Sequence, residues 1–150
     1  MDDIFFMKQA FVQAKKALLI NEVPIGCVIV KDNKIIGSGF NQRNTLGNTL
    51  KHAEMIAINE ACENLGDWRL EQCTIYVTVE PCAMCAGAIL QARIPRLVFG
   101  AKNAKAGCAG SVLNILQNDS FNHQVHILRL MEEESGALMR DFFKKLRDYS

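Results

Sequence analysis

Two short clusters in this 150-residue chain combine residue types that do chemistry: His52-Ala53-Glu54 and Pro81-Cys82-Ala83-Met84-Cys85. Imidazole nitrogen and cysteine thiolate are donors that zinc prefers. Three such ligands leave a fourth tetrahedral position for water, the arrangement of a catalytic site rather than a closed structural one. Cysteines three apart on a helix lie about 60° apart around its axis, so Cys82 and Cys85 can both face one ion. A helix amino terminus also favours their thiolate form. His52 and Glu54 are two apart, roughly 200° around a helix, and should not share a face. They converge only beyond the helix end, toward which side chains lean. His52 then reads as a ligand, and Glu54 as a non-ligand carboxylate placed to accept and return a proton beside an activated water.

Other readings of the same residues stay open on spacing alone. A Cys-x-x-Cys pair near a strand and a helix also suits thioredoxin-like redox chemistry, but that leaves His-Ala-Glu unexplained. A closed structural zinc would take a fourth thiol such as Cys27 or Cys108. Cys62 and Cys73 read as core or surface thiols, and His123 and His126 need not be ligands. Trp68 and the Phe5-Phe6 pair read as packing residues rather than base-stacking platforms.

The elements that must position these clusters follow from apolar periodicity. Met7, Phe11, Ala14 and Leu18 recur at helical steps, so the first twenty residues read as a helix with one apolar stripe. Residues 25–30 and 35–37 form a hairpin around the polar turn 31–34, with Gly37 and Gly39 loosening its second strand. Residues 41–49, rich in Asn, Thr and Gly, read as a surface loop. A helix over about 52–64 follows, then a buried strand over 74–79 and a helix that begins near Pro81 and runs to about Ala92. Strands over 96–99 and 124–128 precede a closing helix over 132–149, with Leu138, Phe142 and Leu146 at helical spacing. The order αββαβαββα predicts an α/β fold in one domain, residues 1–150: a mixed sheet with an antiparallel hairpin, parallel crossovers and helices covering it.

Composition sets the class. Hydrophobic residues at 49% and charged residues at 22% argue for a globular chain and against disorder. No apolar run is long enough to span a membrane, and no basic stretch followed by an apolar core follows Met1-Asp2-Asp3, so a cytoplasmic location with reduced cysteines is expected. The net charge of +1 gives no overall reason to expect a nucleic-acid partner. Locally, residues 81–118 hold Arg93, Arg96, Lys102 and Lys105 with no Asp or Glu, and Lys144, Lys145 and Arg147 form a second basic cluster. Adjacency to the metal motif favours phosphate binding by these groups.

His-x-Glu followed by Pro-Cys-x-x-Cys, with 26 residues between Glu54 and Pro81, is the signature of the zinc-dependent nucleobase deaminases. The chain resembles the bacterial tRNA adenosine deaminases over nearly its whole length. The matching stretches are Glu22-Val23-Pro24-Ile25-Gly26, residues 76–88, residues 93–101 and Asp141-Phe142-Phe143. This resemblance implies a three-layer, cytidine-deaminase-like fold with a mixed five-stranded sheet. It implies one Zn2+ per subunit on His52, Cys82 and Cys85, with Glu54 as proton shuttle. A zinc-activated hydroxide would attack C6 of the wobble adenosine in a tRNA anticodon loop, leaving inosine and ammonia; a single-stranded loop can splay its base out at little unstacking cost. By the same resemblance Asn41 hydrogen-bonds the flipped nucleoside, Val23, Pro24 and Val79 line its pocket, and Phe143 packs against the loop. Lys102, Asn103, Lys105, Lys144 and Lys145 are candidate RNA contacts, and a homodimer would help form the RNA surface.

Two departures from the family pattern stand out. Asn48-Thr49-Leu50-Lys51 replaces Asp-Pro-Thr-Ala before His-Ala-Glu, and Asn103 stands where an acidic residue is usual. Without a negative charge near phosphates, Asn103 predicts weaker discrimination of RNA from DNA. The rival functions are a zinc-dependent deaminase of a free base or nucleoside, of guanine or cytosine type, and a non-catalytic zinc module, against which the intact Glu54 argues.

Overall fold

The computed structural model describes residues 2–148. Its elements are α1 (Asp3–Leu19), β1 (Gly26–Lys31), β2 (Lys34–Phe40), α2 (Ala53–Leu65), β3 (Cys73–Val79), α3 (Ala83–Gln91), β4 (Arg96–Ala101), β5 (His126–Arg129) and α4 (Glu132–Asp148). This is the expected αββαβαββα order; Tyr149, the expected end of the last helix, lies outside the described residues. The strands form one five-stranded sheet in the order β2-β1-β3-β4-β5. β1 is antiparallel to β2 and β3, whereas β3, β4 and β5 run parallel. The β1–β2 turn places Asp32 and Asn33 at φ 51° and 61°, the left-handed pair that matches the natural twist of a two-residue hairpin.

Alternation along β3 divides the molecule into layers. Ile75 and Val77 face a core built with Ala57 and Ala61 of α2 and Ile89 of α3, while Tyr76 faces Phe6, Met7 and Ala10 of α1. α4 lies on the α1 side, where the Ser135 hydroxyl donates to the Thr78 carbonyl. The sheet is thus covered on both faces, the three-layer α/β arrangement that the resemblance implies.

Three local expectations are corrected. α1 buries Phe6, Met7, Ala10, Ala14 and Ala17, so its stripe is rotated from the expected one and Phe11 and Leu18 are only half-buried. Small side chains let the helix lie close to the sheet, and the larger pair falls at the edge. Gly37 and Gly39 do not end β2, which runs on to Phe40, although its pairing with β1 shifts register between Ile35 and Gly37. A Cβ at Gly37 would sit 2.3 Å from the Ala57 carbonyl oxygen, and one at Gly39 would sit 2.6 Å from that of Ala53. The missing side chains are what let the backbone of α2 rest on the strand. Trp68 is 57% exposed rather than packed, with the Arg69 and Arg93 guanidiniums 5.5 and 5.9 Å from its ring centre.

The last two elements differ in smaller ways. β5 begins at His126 because the Gln124 side chain donates to the Asn118 and Phe121 carbonyls and holds that segment in a turn. α4 buries only Ser135, and Leu146 in its expected stripe is 56% exposed, because the helix walls a cavity instead of closing a core. No helix among the described residues is long and apolar enough to cross a membrane.

Candidate active site

His52 is the residue before the first turn of α2, with extended backbone (φ −77°, ψ 154°), and Cys82 holds the same position on α3 (φ −74°, ψ 179°). This resolves the two-apart problem of His52 and Glu54: one residue stands outside the helix and the other in its first turn. Neither His52 nor Cys82 spends its side chain capping its own helix. The His52 Nδ1 lies 3.7 Å from Cys82 Sγ and 3.6 Å from Cys85 Sγ. A tetrahedral ion with such ligands at about 2.1–2.3 Å sets them about 3.5–3.8 Å apart, so this donor set fits one metal ion. Among the described residues the group has these three members; Cys27 and Cys108 are buried and not part of it.

The electrostatics agree with that use. A hydrogen bond from the Cys85 thiol, with another from His52, holds the Cys82 thiol down at about 3, so it is a thiolate. The same bond, together with burial, pushes Cys85 up, and the Cys82 thiolate raises His52. Glu54 is only 4% exposed, and burial raises its carboxyl to about 7.

His52, Glu54 and Cys82 line a cavity of about 1360 Å3, with Cys85 buried and outside the lining. Val23, Asn41 and Val79 line it as expected, whereas Pro24 is buried beside them and Ile25 takes the lining position. Asn41 bridges two segments: its Nδ2 donates to the Val23 carbonyl at 3.4 Å, and its Oδ1 accepts from the Arg43 amide at 3.2 Å. Phe143 lies on the cavity side of α4, edge-on to Phe142. Lys102, Asn103, Lys105 and Lys144 also line the cavity, while Lys145 is exposed and outside the lining. The Asn103 Oδ1 accepts from the Ala106 amide, so its side chain caps the turn that follows it.

Sequence reasoning missed part of this wall. Arg43 and Arg140, the latter ion-paired with Glu133, also face the cavity, beside Arg147 of the second basic cluster. Arg43, two residues beyond Asn41 and within a loop, carried a signal. Arg140 lay in a helix read for its apolar face. The basic run of residues 81–118 does not act as one patch. Arg96 is bound by Asp3, and Arg93 donates to the Leu90 carbonyl beside Trp68. β4 carries the chain from Arg96 to Ala101, about 16 Å along the sheet, before Lys102 enters the cavity.

Comparison with known proteins is consistent with this arrangement. Residues 1–147 match the model of the MafB19-like deaminases. Over 146 residues the chain is 48% identical to the tRNA-specific adenosine deaminase of Bacillus subtilis (strain 168), covering 97% of this chain and 91% of that protein. The chain belongs to the tRNA-specific adenosine deaminases. A solved structure from work on A-to-I editing by tRNA:A34 deaminases at the wobble position of transfer RNA superposes on this deaminase with a TM-score of 0.86 at 40% identity, over 90% of this chain and 99% of that one. A guanine deaminase from Bacillus subtilis is further away, at 30% identity and a TM-score of 0.66, covering 100% of this chain and 96% of its own. Membership among the deaminases and the His/Cys donor group together support a metal cofactor.

Proposed function

We propose that the protein hydrolyses the exocyclic amine of adenosine at wobble position 34 of a tRNA anticodon loop, converting adenosine and water to inosine and ammonia. The observation that carries this reading is Glu54, a buried carboxylate at the cavity, beside three metal donors but not among them. His52, Cys82 and Cys85 would hold one zinc ion, which when bound supplies the Lewis acidity that brings a water's pKa near neutrality. Glu54 takes a proton from the attacking water and delivers it to N1 of the adenine as C6 becomes tetrahedral. It then moves the second water proton to the departing amine, which leaves as ammonia.

Asn41, Val23 and Val79 would hold the extruded base, with Pro24 backing Val23. Phe143 would pack against the loop, and Lys102, Asn103, Lys105, Lys144 and Lys145 would meet its backbone. The cavity supports a substrate larger than a base. At about 1360 Å3 with cationic side chains on its wall, it exceeds the roughly 300–1,000 Å3 of an ordinary small-molecule site. Deamination of a free base has the guanine deaminase likeness in its favour but gives Lys102, Lys105 and Lys144 no part in binding. The tRNA reading also carries a homodimer that completes the RNA surface and a cytoplasmic location. The test is incubation with tRNA, and separately with free adenosine, guanine and cytidine. Inosine is read as guanosine on sequencing, and ammonia is measured. Conversion at the wobble position is expected; ammonia from free substrates alone overturns the reading.

A further inference from the structure

We propose that Glu80 is a positioning residue for the substrate, its buried carboxylate fastening the loop 102–111 so that Lys102 and Lys105 face the cavity. The inference rests on the tRNA reading for the identity of what those lysines meet. Glu80 stands between Val79, a wall of the cavity, and Pro81-Cys82, the start of α3. It is 2% exposed, yet among the described residues its carboxylate forms no ion pair. Four donors of one loop surround it instead. Oε1 accepts from the Asn103 amide at 3.1 Å and from the Ser111 hydroxyl; Oε2 accepts from the amides of Ala109 at 2.9 Å and Ser111 at 3.0 Å. A carboxylate has about four lone-pair sites, so this loop satisfies it fully.

The backbone ties the same loop to the same place. The Glu80 amide donates to the Ala101 carbonyl and the Cys108 amide to the Pro81 carbonyl, both at 2.8 Å. Gly107 closes over the carboxylate, and a Cβ there would lie 2.4 Å from Glu80 Cδ and 2.6 Å from the Asn103 carbonyl oxygen. Residues 104–106 are exposed and bury no apolar side chain. Cys108 and Ala109 anchor the far end of the loop in the core, so it is the stretch from Lys102 to Ala106, with both lysines, that takes its place from the Glu80 carboxylate and its own turn rather than from apolar packing. Remove that acceptor and three loop amides lose their partner. The lysines that the loop presents lose their fixed place with them.

Glu80→Gln is the direct test, because it keeps the shape but turns an amide nitrogen toward loop donors. Amide hydrogen exchange at residues 103, 109 and 111 is expected to accelerate at least ten-fold, with β3 amides and metal content unchanged. KM for an anticodon stem-loop is expected to rise at least five-fold with kcat within two-fold. In a Lys102→Ala/Lys105→Ala background the same change should add little to KM, because Glu80 acts through those lysines. Ser111→Ala, which removes only one of the four bonds, should shift exchange and KM in the same directions by less, and it decides the matter if Glu80→Gln does not fold. Unchanged exchange and KM in these variants, loss of metal, or a full KM effect in the lysine-free background overturns the proposal. If the native enzyme fails to edit the stem-loop, the tRNA reading falls. Positioning is then decided by exchange together with stem-loop binding measured by fluorescence anisotropy, where the same five-fold loss is expected and unchanged binding overturns it.

Discussion

Glu54 lies against three metal donors without joining them, and that separates its expected role from theirs in one pair of variants. Glu54→Gln should retain one equivalent of metal by atomic absorption and lower kcat by about 10²–10⁴, the usual contribution of a positioned general acid and base. Cys82→Ser should lose metal and activity together. Normal turnover in the glutamine variant would remove Glu54 from the chemistry. All four of these side chains were legible in the sequence because their types are rare in combination and their spacing relates them to helix starts. Arg140 and Glu80 were not, since a charged residue announces neither which way it points nor what surrounds it, and Arg43 was marked only by its place beside Asn41. Asn103 was singled out for its missing charge, and its Oδ1 turns out to cap the turn at Ala106. An aspartate would make the same bond, so the substitution leaves the turn intact and changes only charge. On matched RNA and DNA stem-loops the protein is therefore expected to deaminate both, and a wholly inert DNA would refute that.

Among the elements, order and type were legible while packing contacts were not. The β-branched run of β3 and the hairpin turn followed from local preference, but which stripe of α1 is buried depends on how closely the helix approaches the sheet. Gly37 and Gly39 carry the same lesson: in one dimension they weaken a strand, and in three they seat a helix. The seat has functional weight, since α2 places His52 and Glu54. Gly37→Ala should destabilise the protein by about 1–3 kcal/mol, the range for overpacking a close contact, measured by urea denaturation. Because the Ala57 carbonyl is backbone and cannot rotate away, a variant as stable as the native chain would refute this account of the glycine.

At the scale of the whole molecule the net charge of +1 is an average over unlike regions. Arg43, Lys102, Lys105 and Lys144 gather at the cavity from three separate segments of chain. If three or four of them neutralise phosphates, log KM for a stem-loop should rise with log salt at a slope of about 2–3, following the counterion release expected of a single strand. A flat response would mean that these cations do not meet the backbone. A second long-range assembly lies away from the cavity. Asp3 on α1 accepts two bonds from Arg96 of β4, both at 2.7 Å, and one from the Tyr76 hydroxyl of β3 at 2.6 Å. The Arg96 guanidinium is the main reason the Asp3 carboxyl is lowered to about 2. A group whose pKa is lower folded than unfolded stabilises the fold above its unfolded value, near 3.8, and loses that contribution as pH falls through about 2. Asp3→Asn should therefore cost about 1–2 kcal/mol at neutral pH, after allowance for solvent screening, and the gap to the native chain should close between about pH 4 and pH 2. Denaturation of both proteins across that window checks the sign: a gap that stays constant to pH 2 would mean that the Asp3 charge contributes nothing to joining α1 to the sheet.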